Sequence, residues 1–334
     1  MSVSCRRQLF DLSDDMATKV NVQFYADARD VLLKALVNKL NWDTISQHIV
    51  TATGQAFTAR SVQPLSGGDI NAAFKLQDGN TRYFVKLNRP ELVDMFAAEL
   101  TGLQELTATQ TLRVPNPIIY GQTDSHAFLV LEYLEFSRAS ASSERLFGEQ
   151  LARCHQTIQP YFGWHRDNTI GSTLQPNQPG KHWPSFWRDQ RLGFQLQLAA
   201  KNGYGGRLQA SGERLCAHLA LLFTDYTPTP SLLHGDLWAG NAATDKQGNP
   251  VIFDPACYYG DREADLAMTE LFGGFSRDFY AAYQAAWPLN EGYKVRKSLY
   301  NLYHILNHLN LFGGGYLHQA ENMIASLLGE IGVA

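Results

Sequence analysis

The stretch Leu232-Leu233-His234-Gly235-Asp236-Leu237-Trp238-Ala239-Gly240-Asn241, followed by Val251-Ile252-Phe253-Asp254-Pro255-Ala256, decides the fold. Two short apolar runs, Ser231–Leu233 and Pro250–Phe253, each end on a polar residue that a core would not choose. The loop between them carries an aspartate and, five residues on, an asparagine; a second aspartate closes the next run. Taken singly, His-Gly-Asp reads equally well as a strand-to-turn junction and Phe-Asp-Pro as another turn. Their order and spacing make the case for chemistry, and a motif of this kind stands or falls on its surroundings.

Asp, then Asn, then Asp is the order of a protein-kinase catalytic loop. The first accepts the acceptor's hydroxyl proton, and the other two hold metal at the nucleotide phosphates. Mg²⁺ keeps waters and substrate phosphates among its ligands, so one Asn and one Asp suffice on the protein side. Asp236 is therefore the candidate base, with Asn241 and Asp254 as candidate Mg²⁺ ligands.

Upstream, the pattern turns to strands. Phe57–Pro64, Ala72–Leu76 and Tyr83–Leu87 are separated by Ser66-Gly67-Gly68-Asp69-Ile70-Asn71 and by an Asp78-Gly79-Asn80 hairpin turn. A Gly-Gly turn is usually only a hairpin. Here Gly67 and Gly68 stand one strand before Lys86, where missing side chains would let backbone N–H groups approach phosphates. Alternation puts Tyr83, Val85 and Leu87 on one face and Phe84 with Lys86 on the other. A strand lysine is by default an edge residue with its ammonium in water. The next helix, Asp94–Ala108, argues otherwise, since Glu99 shares the apolar stripe of Phe96, Leu100, Leu103 and Leu106. A carboxylate on a buried face needs a cation, and a strand lysine paired with a helix glutamate positions ATP phosphates in kinases. The buried run Ala127–Leu131 leads into Glu132-Tyr133-Leu134, where the lobes of a bilobal kinase join and backbone groups bind adenine.

Past a serine-rich linker, Ser137–Ser143, the pattern is mostly helical. Ser143–Ile158 turns Leu146, Phe147, Leu151, Cys154 and Ile158 inward, and Trp183 and Trp187, one helical turn apart, read as core. Tyr161–Pro179 reads as a long irregular loop shaped for binding, with Trp164 a candidate for the acceptor. Trp238, next to the base, either packs against a sugar ring or packs its own loop. Asp265, early in a helix opening near Gly260, is expected to buttress the catalytic loop together with His234, and Asp261 to face the acceptor. Final helices are expected near Tyr293–Leu311 and Tyr316–Leu328, split by Gly313-Gly314-Gly315. His304 and His308 share a helix face without a third ligand, which favours a packed pair over a metal site.

The expected fold is α+β and bilobal, of the protein-kinase-like kind. A small lobe, residues 41–134, holds an antiparallel sheet plus one key helix and binds ATP; a larger, mainly helical lobe, residues 135–334, holds the catalytic loop, metal and acceptor. Residues 1–40, with an amphipathic stretch over Ala26–Leu40, form an extension of no evident role. A 334-residue chain with 45% hydrophobic residues can bury such cores. With Lys and Arg numbering 28 against 32 Asp and Glu, the net charge of −4 offers no footprint for nucleic acid or an anionic membrane. No apolar run approaches the roughly 20 residues of a membrane span, and the N-terminus lacks a signal-peptide core. The scattered cysteines Cys5, Cys154, Cys216 and Cys257 read as reduced thiols of a cytoplasmic protein. No P-loop motif is present.

Ser66–Asn71, His234–Asn241, Phe253–Asp265 and Leu299-Tyr300-Asn301-Leu302-Tyr303-His304 together resemble the fructosamine kinase (ketosamine-3-kinase) family, a branch of the aminoglycoside and choline kinase-like group. The resemblance runs from about Trp42 to Leu328. The Trp of His-Gly-Asp-Leu-Trp and the Tyr-Tyr-Gly-Asp-Arg-Glu run separate this family from its relatives. The resemblance implies ATP- and Mg²⁺-dependent phosphorylation of the sugar 3-hydroxyl of a ketosamine, a fructose or ribulose adduct, whose labile 3-phosphate then frees the amine. The short span before Asp261 leaves no room for a long activation segment. Two alternatives stand beside this: a kinase of another small alcohol or aminoglycoside, and a nucleotide-binding module without catalysis.

Overall fold

The computed structural model describes residues 41–65 and 70–333. Gly67, Gly68 and the stretch Ala26–Leu40 lie outside the described residues. The chain divides into two compact units. One takes the described residues up to Val93 together with Ile118–Tyr133, the other Asp94–Pro117 and the chain from Leu134 on.

The first unit is a helix, α1 (Trp42–Thr53), and a five-stranded sheet. Its strands are β1 (Ser61–Leu65), β2 (Ala72–Asp78), β3 (Thr81–Asn88), β4 (Pro117–Gln122) and β5 (Ala127–Glu132), in the order β1-β2-β3-β5-β4. Asn41 caps α1 by accepting from the Thr44 N–H. The expected alternation is realised: Tyr83, Val85 and Leu87 enter a core with Phe74, Leu76, Phe128, Val130, Ile45 and Ile49. Strand β3 lies in the middle of the sheet, Lys86 standing between Ala73 of β2 and Leu129 of β5. With 4% of its surface exposed, Lys86 is no edge lysine with its charge in water. Glu132 closes β5 opposite Tyr83, and the Tyr133 ring lies 5.3 Å from the Lys75 ammonium and 5.4 Å from the Arg82 guanidinium.

The second unit is mainly helical. Helix α2 (Val93–Ala108) buries Phe96, Glu99, Leu103 and Leu106, the stripe read from the sequence. Strand β6 (Phe136–Ser137) precedes α3 (Ala141–His155), so the serine-rich stretch is largely a helix start. Ser140 and Ser143 form a capping box there, which satisfies N–H groups that the first turn leaves without partners. Phe147, Leu151 and Cys154 of α3 are buried, but Ile158 lies beyond the helix end and is 59% exposed.

The stretch expected to be an irregular binding loop contains a packed hairpin, β7 (Asn168–Ile170) against β8 (Thr173–Gln175). Its polar side chains Asn168 and Gln175 point into the interior. After it come α4 (Trp183–Trp187), a π turn over Arg188–Leu192, α5 (Gly193–Lys201) and α6 (Arg207–His218). Trp183 and Trp187 are fully buried, as core residues should be. Then β9 (Ser231–Leu233), β10 (Ala242–Asp245), β11 (Pro250–Ile252) and β12 (Tyr258–Gly260) frame the site, and α7 (Glu263–Leu271), α8 (Arg277–Ala286), α9 (Tyr293–Phe312) and α10 (Leu317–Glu330) complete the unit.

Candidate active site

The decisive stretch folds as two linked hairpins of the second unit. Strand β9 pairs antiparallel with β12, and β10 with β11, so the loop after β9 and the loop after β11 leave side by side. The Ala256 N–H donates to the His234 carbonyl at 2.8 Å, and the Phe253 N–H to the Asn241 carbonyl at 3.1 Å. Gly235 has φ +83°, and a Cβ there would stand 2.1 Å from the Ala256 carbonyl oxygen. The left-handed backbone and the close approach together leave room for glycine alone.

Asp265, in the first turn of α7, receives the His234 N–H at 2.7 Å on one oxygen and the Gly235 N–H at 2.8 Å on the other. His155 Nε2 adds a third bond at 3.2 Å. Burial alone would raise this carboxyl. The His155 hydrogen bond and the Gly235 amide outweigh it and hold Asp265 below its ordinary value.

The hydrogen bonds also settle the tautomer of His234. A carbonyl only accepts, so His234 Nε2 donates to Phe253 O at 2.9 Å, while Nδ1 accepts from the Asp236 N–H at 3.2 Å. His234 is thus neutral, in keeping with burial pushing its pKa down. Arg262 donates to the Tyr283 hydroxyl at 3.2 Å, and that hydroxyl shares a hydrogen bond with His155 Nδ1 at 2.8 Å. The chain Arg262–Tyr283–His155–Asp265 ends on the two amides ahead of Asp236.

Asp236 accepts the Asn241 Nδ2 on its carbonyl at 2.9 Å and on its carboxylate at 3.1 Å. That fixes the amide, and Asn241 Oδ1 makes no hydrogen bond among the described residues. Asp254, where the chain leaves β11, takes a left-handed φ of +59°, uncommon for a side chain with a Cβ. Burial, and then the charge of Asp254, push Asp236 up to about 7. These features fit a divalent cation: an oriented carbonyl-type oxygen, a carboxylate on strained backbone, and two carboxylates close enough to repel. Among the described residues no group of three or more His, Cys, Asp or Glu could hold a metal ion.

Trp238 serves its own loop on one side and stays open on the other. Its indole lies over Gly240, where a Cβ would meet the ring at 2.3 Å, yet 37% of the residue is exposed. Its ring is edge-on to Phe272 at 6.2 Å, and Phe272 in turn contacts His308 at 5.0 Å. These rings give the loop an aromatic border that the sequence did not reveal.

Two expected acceptor residues are elsewhere. Asp261 is fully buried, accepting the Tyr226 hydroxyl at 2.8 Å, the Tyr300 hydroxyl at 2.5 Å and the Glu263 N–H at 3.1 Å. It secures the start of α7 and presents nothing to a ligand. Trp164 is 2% exposed, its indole N–H donating to Glu105 at 2.6 Å. The apolar ring is packed and its one polar atom spent inside the unit. His304 and His308 form a packed pair: His308 Nδ1 donates to the His304 carbonyl at 2.7 Å, and burial drives the His304 pKa down to about 3.

The profile of the fructosamine kinase family matches residues 41–330. The chain belongs to the fructosamine kinase family. A probable ketoamine kinase of Synechocystis sp. is 49% identical over 288 residues, 86% of this chain and 97% of that one. A chloroplastic protein-ribulosamine 3-kinase of Arabidopsis thaliana is 40% identical over 289 residues, 86% and 88% of the two chains. The crystal structure of a candidate fructosamine-3-kinase from Haemophilus somnus 129PT superposes with a TM-score of 0.79 at 32% identity, covering 86% of this chain and 97% of that one. An aminoglycoside phosphotransferase, APH(4)-Ia, shares the fold alone, with a TM-score of 0.59 at 14% identity over 86% of this chain and 98% of that one. The expected α+β fold of the protein-kinase-like kind is therefore borne out, as is membership of the family. Kinase membership brings use of a nucleoside triphosphate with it. Among the described residues no helix is long and apolar enough to cross a membrane.

Proposed function

We propose that this fructosamine kinase family member transfers the γ-phosphoryl group of ATP to the sugar 3-hydroxyl of ketosamines, fructosamine or ribulosamine adducts, and so serves deglycation of proteins or amines in the cytoplasm. The observation that carries the reading is the convergence of Asp236, Asn241 and Asp254 on two adjoining loops, with Asp236 and Asn241 joined directly. Asp236 orients the acceptor hydroxyl and takes its proton as the oxygen attacks phosphorus. Asn241 and Asp254 hold Mg²⁺, which neutralises charge on the phosphates. The remainder is positioning. His234 and Asp265 fix the loop backbone, and the open face of Trp238 borders the acceptor.

Residues 41–134 are assigned to ATP. Lys86, with Glu99 as its counter-charge, holds phosphates; Gly67 and Gly68 cover them; the backbone of Glu132, Tyr133 and Leu134 takes adenine. Residues 135–334 hold catalysis, metal and acceptor. The relatives named as ketoamine and ribulosamine kinases support a ketosamine over an aminoglycoside acceptor. Keeping Asp236, Asn241 and Asp254 together argues against a module without catalysis.

The test is ATP consumption on a panel of fructosyl- and ribulosyl-amines beside aminoglycosides and simple alcohols. Turnover on the ketosamines should fall at least about 100-fold in Asp236→Asn, with ATP binding kept. Wild-type turnover by that variant, or turnover on the other acceptors alone, refutes the reading.

A further inference from the structure

Behind the loop that follows Asp254 lies a buried polar network with a cation at its root. Arg191, in the π turn between α4 and α5, is fully buried. Trp183, Trp187, Arg191, Gln195 and Ala199 recur every fourth residue and all are buried. A regular α-helix would carry such a row steadily round its axis, and the extra residue of a π turn brings it back. Gly193 allows that turn, since a Cβ there would stand 2.7 Å from the Arg188 carbonyl oxygen.

A buried guanidinium ordinarily finds a carboxylate. Arg191 has no such partner among the described residues, and its Nε makes no hydrogen bond there. Instead it donates to Pro176 O at 2.6 Å, Gln190 O at 3.0 Å and Asn177 Oδ1 at 2.7 Å, and lies 4.1 Å from the Tyr258 ring centre. Asn177 passes the link on to Asn168 Oδ1 at 2.9 Å, and Asn168 Nδ2 reaches the Cys257 carbonyl at 2.7 Å. A second arm starts at Tyr303, whose hydroxyl donates to Gln175 Oε1 at 2.8 Å; Gln175 Nε2 then donates to Asn168 Oδ1 at 2.8 Å and to the Ala256 carbonyl at 3.1 Å. Three consecutive residues, Ala256, Cys257 and Tyr258, are thus held from one side. Ala256 is also the residue whose N–H bonds His234 and whose carbonyl fills the space beside Gly235.

We propose that Arg191, Asn177, Asn168, Gln175 and Tyr303 are positioning residues that set Asp254 for metal, by clamping the backbone just after it. The proposal rests on the reading of Asp254 as a metal ligand. None of the five touches a reacting atom. A lone cation suits the task, because its charge strengthens every bond it donates and no salt bridge competes for the amides.

Two variants test it. Tyr303→Phe removes one hydroxyl and keeps the ring; Arg191→Lys keeps the charge and loses the planar fork. Three readouts are taken on each full-length protein: hydrogen exchange of residues 252–260, the Mg²⁺ concentration giving half of the thermal stabilisation by ADP, and steady-state kinetics. Exchange should quicken, the Mg²⁺ requirement should rise several-fold, and kcat should fall about tenfold with the ketosamine KM within twofold. A purely structural role lowers the melting temperature and leaves the Mg²⁺ requirement alone, and that result overturns the proposal, as does unchanged exchange. Absence of any Mg²⁺-dependent ADP effect in the wild type overturns it as well. Should the wild type turn over no ketosamine, the assigned reaction fails, while the exchange and Mg²⁺ readouts still decide this proposal.

Discussion

Replacing Asp265 by asparagine changes one atom and should disable the loop it holds. The carboxylate accepts three N–H groups, from His234 and Gly235 on separate oxygens and from His155 on the oxygen that serves His234. An amide has one accepting oxygen. Its best placement keeps His234 and His155 and turns Nδ2 toward the Gly235 N–H, donor facing donor. The orphaned buried donor costs about 1–3 kcal/mol, and two charge-assisted bonds weaken to neutral ones at about 1 kcal/mol each. Relief of burying a charge offsets part of this, so the net loss is about 3 kcal/mol. With Gly235 unpinned, Asp236 moves, and misplacement near 1 Å costs about 100-fold in kcat. Equilibrium urea unfolding followed by tryptophan fluorescence measures the first quantity. Of the six tryptophans only Trp42 belongs to the first unit, so the signal reports on the unit that holds the site. Because the folded pKa of Asp265 lies below its usual 3.8, its contribution is complete above that pH and is lost as pH falls through the folded value. The gap between wild type and variant should therefore be level from about pH 5 to pH 8 and close in stronger acid. A loss under about 1 kcal/mol with unchanged kcat would refute the argument.

Gly235→Ala should be worse for catalysis than for folding. A left-handed alanine costs about 1–2 kcal/mol, and relieving the contact with the Ala256 carbonyl shifts the backbone that flanks the two aspartates; kcat should drop about 100-fold, and near-normal activity would show that the approach is not needed. His304 supplies a pH effect of the opposite sense to a salt-bridged histidine. Burial, and then the charge of His308, hold it neutral with a pKa of about 3 against the usual 6.5, so the unfolded chain takes up the proton first and stability declines as pH drops below 6.5. The loss is about 2 kcal/mol between pH 6.5 and 5, and His304→Gln should flatten the corresponding fall in melting temperature; an identical pH profile would contradict it.

Much of the fold was legible because burial leaves a period in the chain. Alternation over Tyr83–Leu87 located β3, and the stripe of Phe96, Glu99, Leu103 and Leu106 located the inward face of α2. The pairing of Lys86 with Glu99 remains an expectation built from those two patterns. Errors came where residues are packed by partners far away. Asp261 stands in a run of charged residues that looks exposed, yet Tyr226 and Tyr300, from separate segments, enclose it. Trp164 lies in a stretch without periodicity and is held by Glu105 of α2. His155 carried a faint signal, a polar residue on the buried face of α3 next to Cys154. Its connection to Tyr283 and Arg262 carried none, since no local pattern links residues more than a hundred positions apart.

By itself the sequence determined the fold family and located the two apolar runs, Ser231–Leu233 and Pro250–Phe253, beside which the three side chains proposed for the chemistry stand. Those features are written locally, in spacing and in apolar period, and neighbouring backbone carries them to their places. Only the tertiary structure decided that Asp261 and Asp265 are buried struts, that Gly240 makes way for Trp238, and that a buried arginine stands behind the loop after Asp254. The physical reason is that a period records which face of an element is covered but not what covers it. Hydrogen-bond partners are chosen in three dimensions, after distant segments have packed.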